Sequence, residues 1–146
     1  MNLLRHWKKV HESDLSSVAF EVNEYLEKPA LVILTGDVGL GKTTFTSRFV
    51  QMIDESLVTS SPSYSIVNEM DDILHGDLYR LKDAGELVHL ELPLLLEDKT
   101  LAFIEWASAY KKELLSIIPE EFKCYEITFS MNDDETSRDL NFYSID

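Results

Sequence analysis

Lys42 and Thr43 close the run Gly36-Asp37-Val38-Gly39-Leu40-Gly41, and the whole stretch fits the phosphate-loop pattern G-x-x-x-x-G-K-[ST]. Each position in that pattern answers a physical need. The glycines let consecutive backbone N–H groups turn inward around an anion, and a following helix points its N-terminus at the same place. Lys42 adds a mobile positive charge for the outer phosphates, and the Thr43 hydroxyl suits Mg²⁺. A glycine turn capping an ordinary helix would look similar in isolation, but the flanks decide against it. An apolar run, Ala30 to Leu34, leads in as a buried strand. A helical pattern with Phe45, Phe49, Met52 and Ile53 on one face leads out. The loop therefore predicts binding of a nucleoside triphosphate.

Hydrolysis needs more than a loop that holds phosphates. It needs a carboxylate at a strand end to hold the metal and a group that places the attacking water. Glu105 ends the apolar run Leu101-Ala102-Phe103-Ile104, the Walker-B arrangement, and is the first candidate. Asp77 follows Ile73-Leu74-His75 and is the second, although Asp is also common in loops. His75 reads more simply as a half-buried strand histidine than as a catalytic group. Trp106 beside Glu105 reads as packing, notable for its position. Ser61-Pro62-Ser63 is compositionally a loop that could place a hydroxyl on the γ-phosphate side.

The elements that must position these residues follow from the pattern along the chain. Ser13 reads as a helix N-cap, with Leu15, Val18, Ala19, Val22 and Leu26 following at helical spacing until Pro29. Strands are expected at 30–35, Ser65–Met70, Ile73–His75, Leu101–Ile104, Phe122–Phe129 and Leu140–Ile145. Turns are expected at Asp71-Asp72 and Asn132-Asp133-Asp134. A leucine-rich stretch, Leu87 to Leu96, is interrupted by Pro93, and Tyr110 to Ile118 reads as a helix. The resulting order, α-β-α-β-β-α-β-α-β-β, predicts an α/β P-loop NTPase fold: a mostly parallel central sheet with antiparallel edge strands and helices on both faces. At 146 residues the expectation is a single domain, 1–146.

Charge bounds the function. Asp and Glu outnumber Lys and Arg by 27 to 13, a net −14, which opposes direct grip on a nucleic acid backbone. Arg5, Lys8 and Lys9 read as the solvated face of a helix. Cys124, the single cysteine, leaves no internal disulfide and reads as inert in a C-terminal strand. No apolar run approaches the ~20 residues a membrane helix needs, and the start lacks a signal-peptide core. A cytoplasmic location, with no membrane association, is the expectation.

Four motifs in order, GDVGLGKTTF (36–45), SPSYSIV (61–67), HGDLYRL (75–81) and FIEWA (103–107), resemble those of the TsaE (YjeE) family. These are small bacterial P-loop ATPases of transfer RNA threonylcarbamoyladenosine synthesis. The resemblance spans about residues 15 to 110. It implies ATP and Mg²⁺ as cofactors. It implies that Gly39, Leu40, Gly41, Lys42, Thr43 and Thr44 cradle the phosphates, with Thr43 and Glu105 at the metal. Asp77 becomes the second acid, and Trp106 the family tryptophan that follows the glutamate. Ser63 stands where threonine is usual, keeping the hydroxyl and losing the methyl, and Gly76 stands where a bulkier residue is common. An adenine pocket near the N-terminal segment makes His11 to Ser13 candidates. The implied partners are a TsaD-like transferase and a TsaB-like scaffold, which the ATPase subunit serves without binding tRNA directly.

Two other functions compete on the sequence. A small-molecule P-loop kinase would use the same loop, but the chain leaves little room for an acceptor pocket and lid. A nucleotide-dependent switch of the GTPase kind would carry an Asn-Lys-x-Asp guanine motif, and none is present.

Overall fold

A computed structural model describes residues 1–57 and 66–145. Its elements are β1 (Asn2–Val10), α1 (Leu15–Tyr25), β2 (Ala30–Thr35), α2 (Lys42–Ile53), β3 (Val67–Met70) and β4 (Ile73–Asp77). There follow α3 (Ala84–His89), α4 (Leu92–Leu95), β5 (Leu101–Glu105), α5 (Lys111–Ile117), β6 (Lys123–Met131) and β7 (Arg138–Ile145). The strands form one sheet in the order β1-β7-β6-β2-β5-β4-β3. The four inner strands β6, β2, β5 and β4 are parallel, β3 pairs antiparallel with β4 on one side, and on the other β7 pairs antiparallel with both β6 and β1. This is the expected α/β architecture.

Strand alternation divides the core into two layers. In β2, Ala30, Val32 and Leu34 face α1 and α2, where they meet Leu15, Val18, Val22, Phe45 and Phe49. Leu31 and Ile33 face the other way, toward Leu78, Leu87, Leu92, Leu96 and Leu114 from the helices on the second face. Both faces of β2 and β5 are covered, which is why their sequences are continuous apolar runs rather than alternating ones. Phe45, Phe49 and Phe103 pack edge to face or tilted at 5.0–6.4 Å between ring centres, so α2 is fixed directly behind the loop it follows.

Several local expectations need correction. The N-terminal segment is a strand, not a helix: β1 pairs antiparallel with β7, burying Trp7 and Val10 while Arg5, Lys8 and Lys9 point outward. Lysines on an edge strand discourage pairing with another chain, so the basic group has a structural use there. Ser13 lies inside a 3-10 turn (Glu12–Asp14), and Asp14 precedes α1. On α2 the buried stripe is Lys42, Phe45, Thr46, Phe49 and Val50; Met52 and Ile53 are exposed. Pro93 opens α4 rather than breaking a helix, and the break falls at Glu91, with φ 54°. The 60–65 loop, including Ser61 to Ser63, lies outside the described residues. Cys124 is half-buried in β6, where burial pushes its thiol pKa up.

The last hairpin is tied by side chains. Asp134 accepts from the Thr136 and Ser137 amides, both at 2.9 Å, and from the Ser137 hydroxyl. Asn132 donates to Ser137 and Asp139. This turn launches β7 at Arg138.

Candidate functional site

The phosphate loop leaves the C-terminal end of β2, the end at which open parallel sheets bind ligands. Two of its glycines are required by geometry. At Gly36 (φ +153°) a Cβ would stand 2.7 Å from the Phe129 carbonyl oxygen, so any side chain would push the loop off β6. Gly41 (φ +95°) is the left-handed residue that begins α2, and its carbonyl accepts the Phe45 amide at 2.7 Å. Leu40 buries its side chain in the core, so what it can offer a ligand is backbone.

A cavity of about 300 Å³ opens over this loop. Its lining includes Gly39, Gly41, Lys42, Thr43 and Thr44 from the loop, Asp77 and Glu105 from strand ends, and Trp106. Asp77 and Glu105 are register partners at the ends of β4 and β5, level with Leu34 of β2. Parallel pairing thus sets both acids side by side against the loop. Gly36 lies in an adjoining, smaller recess with Lys42 and Trp106.

The polar groups are held in a defined network. The Thr43 hydroxyl donates to Glu105, 3.2 and 3.1 Å from its two carboxylate oxygens. Glu105 is 3 % exposed, and its Oε2 also accepts from His75 Nε2 at 2.6 Å. His75 is fully buried rather than half-buried, and its Nδ1 has no hydrogen-bond partner among the described residues. The Asp77 carboxylate accepts the Tyr79 amide at 3.0 Å, which fixes its rotamer at the strand end. The Lys42 ammonium donates to the Gly36 carbonyl oxygen and sits 3.9 Å from the centre of the Trp106 ring. Burial lowers the Lys42 pKa, opposed by the negative charges of Glu105, Asp77 and Asp37.

Trp106 has φ 58°, a left-handed conformation uncommon for an aromatic residue. The bend turns its ring away from the end of β5 and over the loop lysine. Tyr79, 68 % exposed, packs against the outer side of the same ring at 5.1 Å between centres. Gly76, next to Asp77, lies under Ile104: a Cβ there would be 3.0 Å from Ile104 Cδ1, so β4 and β5 pack closely beneath the acids.

One residue of the site has a different role from the one its sequence context suggests, and another has no local signal as a site residue. His75 was given a packing role, yet it is a direct partner of Glu105. Arg138 was not singled out at all, and it lines the cavity from the β7 side while only 8 % exposed. Its signal was period-2 alternation: Arg138, Leu140 and Phe142 share the buried face of β7. Of the residues His11 to Ser13, Glu12 reaches the cavity lining and His11 and Ser13 do not. Ser63 lies outside the described residues. A larger cavity of about 560 Å³, walled by residues such as Tyr25, Leu115 and Tyr125 at the opposite end of the sheet, includes none of the motif residues.

A family model described as threonylcarbamoyl adenosine biosynthesis protein TsaE matches residues 10–140. Proteins carrying the name tRNA threonylcarbamoyladenosine biosynthesis protein TsaE are similar to this chain. That of Bacillus subtilis is 28 % identical over 112 residues, covering 74 % of this chain and 70 % of the relative. That of Borreliella burgdorferi is 33 % identical over 106 residues, covering 69 % and 73 %. The Haemophilus influenzae protein is 37 % identical over 87 residues, 57 % of this chain and 55 % of its own length. Among solved structures, the crystal structure of YdiB from Bacillus subtilis superposes with a TM-score of 0.68 at 22 % identity, over all of this chain and 89 % of that one. That likeness is one of fold.

Proposed function

The chain belongs to the TsaE family of threonylcarbamoyl adenosine biosynthesis proteins, and on that premise we propose that it is a Mg²⁺-dependent ATPase subunit of the tRNA threonylcarbamoyladenosine machinery, working in the cytoplasm with a TsaD-like transferase and a TsaB-like scaffold. One observation supports this above the others. A loop with helix-initiating glycines, its lysine and threonine, and two strand-end acids meet in one cavity although they come from three separate segments.

The division of labour follows from the side chains. The inward amides of 39–44 and the Lys42 ammonium hold the phosphates. The Thr43 hydroxyl and Glu105 carboxylate, 3.1 Å apart, form an all-oxygen pair that fits Mg²⁺, which takes few protein ligands and shares phosphate and water oxygens. Bound there, the metal neutralises charge that develops on the phosphoryl oxygens. Asp77, beside Glu105, orients the attacking water. His75 fixes the Glu105 rotamer by donating to Oε2. Trp106 and the exposed Tyr79 form the surface through which a bound partner acts on the site. With a net charge of −14 the chain meets tRNA through its partners rather than alone.

Isothermal titration with Mg·ATP tests the central claim. Lys42→Ala should weaken binding by about tenfold to a hundredfold, the usual worth of a hydrogen bond to a charged group. Wild-type affinity in that variant would remove the phosphate-loop assignment. Turnover with and without the transferase–scaffold pair tests the partnership: the rate should be slow alone and rise on addition. A full rate without partners would count against it.

A further inference from the structure

Arg138 is a charge without a counter-charge among the described residues. Its side chain is 8 % exposed, and neither Nε nor Nη1 has a hydrogen-bond partner among the described residues. Arginine stays protonated under any ordinary condition, and an uncompensated buried charge is strongly unfavourable. Backbone pairing prevents escape: Arg138 is clamped between Val10 of β1 and Met131 of β6, on the inward face of β7. Its Nη1 lies 3.8 Å from the point where a Cβ on Gly41 would be, so the guanidinium abuts the last turn of the phosphate loop and lines the cavity above it. Glu12, in the same wall, forms no ion pair with it among the described residues.

Resting on the nucleotide-binding reading above, we propose that Arg138 is a further ligand-binding residue that donates to the α-phosphate of the bound nucleotide. The sheet order carries the choice of phosphate. Asp77 and Glu105 stand on β4 and β5, to one side of β2, and mark the metal and γ-phosphate end with Thr43. Arg138 stands on β7, to the opposite side of β2. A triphosphate laid along the loop from the acids therefore presents its nucleoside end to Arg138, and the anionic group at that end is the α-phosphate. A guanidinium presents several donors in a rigid fork and suits a phosphate oxygen. The ligand supplies the counter-charge that the protein withholds.

The test titrates wild type, Arg138→Met and Arg138→Lys with Mg²⁺ and three ligands: ATP, ADP and inorganic tripolyphosphate. Arg138→Met should weaken all three by a similar factor, about tenfold or more, and Arg138→Lys should recover part of it. Loss with ATP and tripolyphosphate but not with ADP would place the contact at the γ-phosphate and overturn the assignment. Loss of both nucleotides with tripolyphosphate unaffected would place it at the base or ribose and overturn it too. Unchanged binding of all three would overturn the assignment, and a ligand-free melting temperature far below wild type in both variants would make Arg138 a structural strut instead. Wild-type protein that binds none of the three would instead refute the nucleotide reading itself.

Discussion

On the β5 side of the cavity both carboxylate oxygens of Glu105 have donors, from Thr43 and His75, whereas on the β7 side Arg138 has buried nitrogens with none. The two walls flank the same loop, and Glu105, His75 and Arg138 are all buried. The Glu105 carboxylate has its donors without ligand, so its geometry is set in advance, as electrostatic preorganisation requires. On the basic wall, Arg138 Nε and Nη1 have no acceptor among the described residues. Under the proposed function the first wall sets the rate and the second sets occupancy, and substitutions on the two should separate these effects.

The largest separation is expected at Glu105. Glu105→Gln keeps the shape of the side chain and should cut ATP turnover about a hundredfold or more while leaving ATP affinity within a few-fold, because the lost charge matters most where charge develops. Asp77→Ala should show the same pattern less steeply. Single-turnover hydrolysis alongside equilibrium binding measures both, and equal loss of the two would mean that the acid wall also holds the ligand.

His75 and Arg138 should then move stability in opposite directions. His75→Ala removes the donor to a buried carboxylate and should cost roughly 1–3 kcal/mol in urea unfolding without ligand. Arg138→Met removes a buried charge that has no ion-pair partner among the described residues, so ligand-free stability should stay level or rise by up to ~1 kcal/mol. A large loss in Arg138→Met would show that the two walls are alike.

The smallest effect sharpens the comparison at the turn that delivers Arg138. Amide and hydroxyl donors from Thr136 and Ser137 hold the Asp134 carboxyl down from its ordinary 3.8 to about 2. The native state therefore prefers the ionised form, and its contribution to stability is complete above pH 3.8 and fades as pH falls toward about 2. Asp134→Asn should flatten that part of the pH–stability curve and leave the curve near neutrality little changed in slope. An unchanged acid limb would mean that these hydrogen bonds do not persist in solution.

The acid wall was readable from the sequence and the basic wall was not, for a physical reason. Glu105 follows a continuous apolar strand and Gly36 to Thr43 lies between a strand and a helix, so local pattern placed both. Asp77 needed the family resemblance, because a single acid after three residues of strand is a weak local signal. The partner of His75 lies 30 residues away, and no local pattern reports that distance. The strand β1 was missed because register shifts between Leu3 and Arg5 and between Trp7 and Val10 blur its alternation. Its partner β7 lies at the far end of the chain. Arg138 was hidden by the same circumstance: a polar turn precedes it, and only the pairing of the two terminal strands shows that it faces inward.

The pairing of β1 with β7 joins Asn2 to Ser144 and Val10 to Arg138. Such distant contacts close slowly, since chain entropy must be lost before they are rewarded. As a nascent chain leaves the ribosome, β2, β4 and β5 are all available while β1 still lacks its strand neighbour β7. The acid wall can assemble on that partial sheet, but Arg138 reaches the loop only after residue 138 emerges and the hairpin folds back. The order of synthesis thus delays the buried cation until after the acid wall, and a chain interrupted before residue 138 would carry a phosphate loop with one wall of its cavity absent.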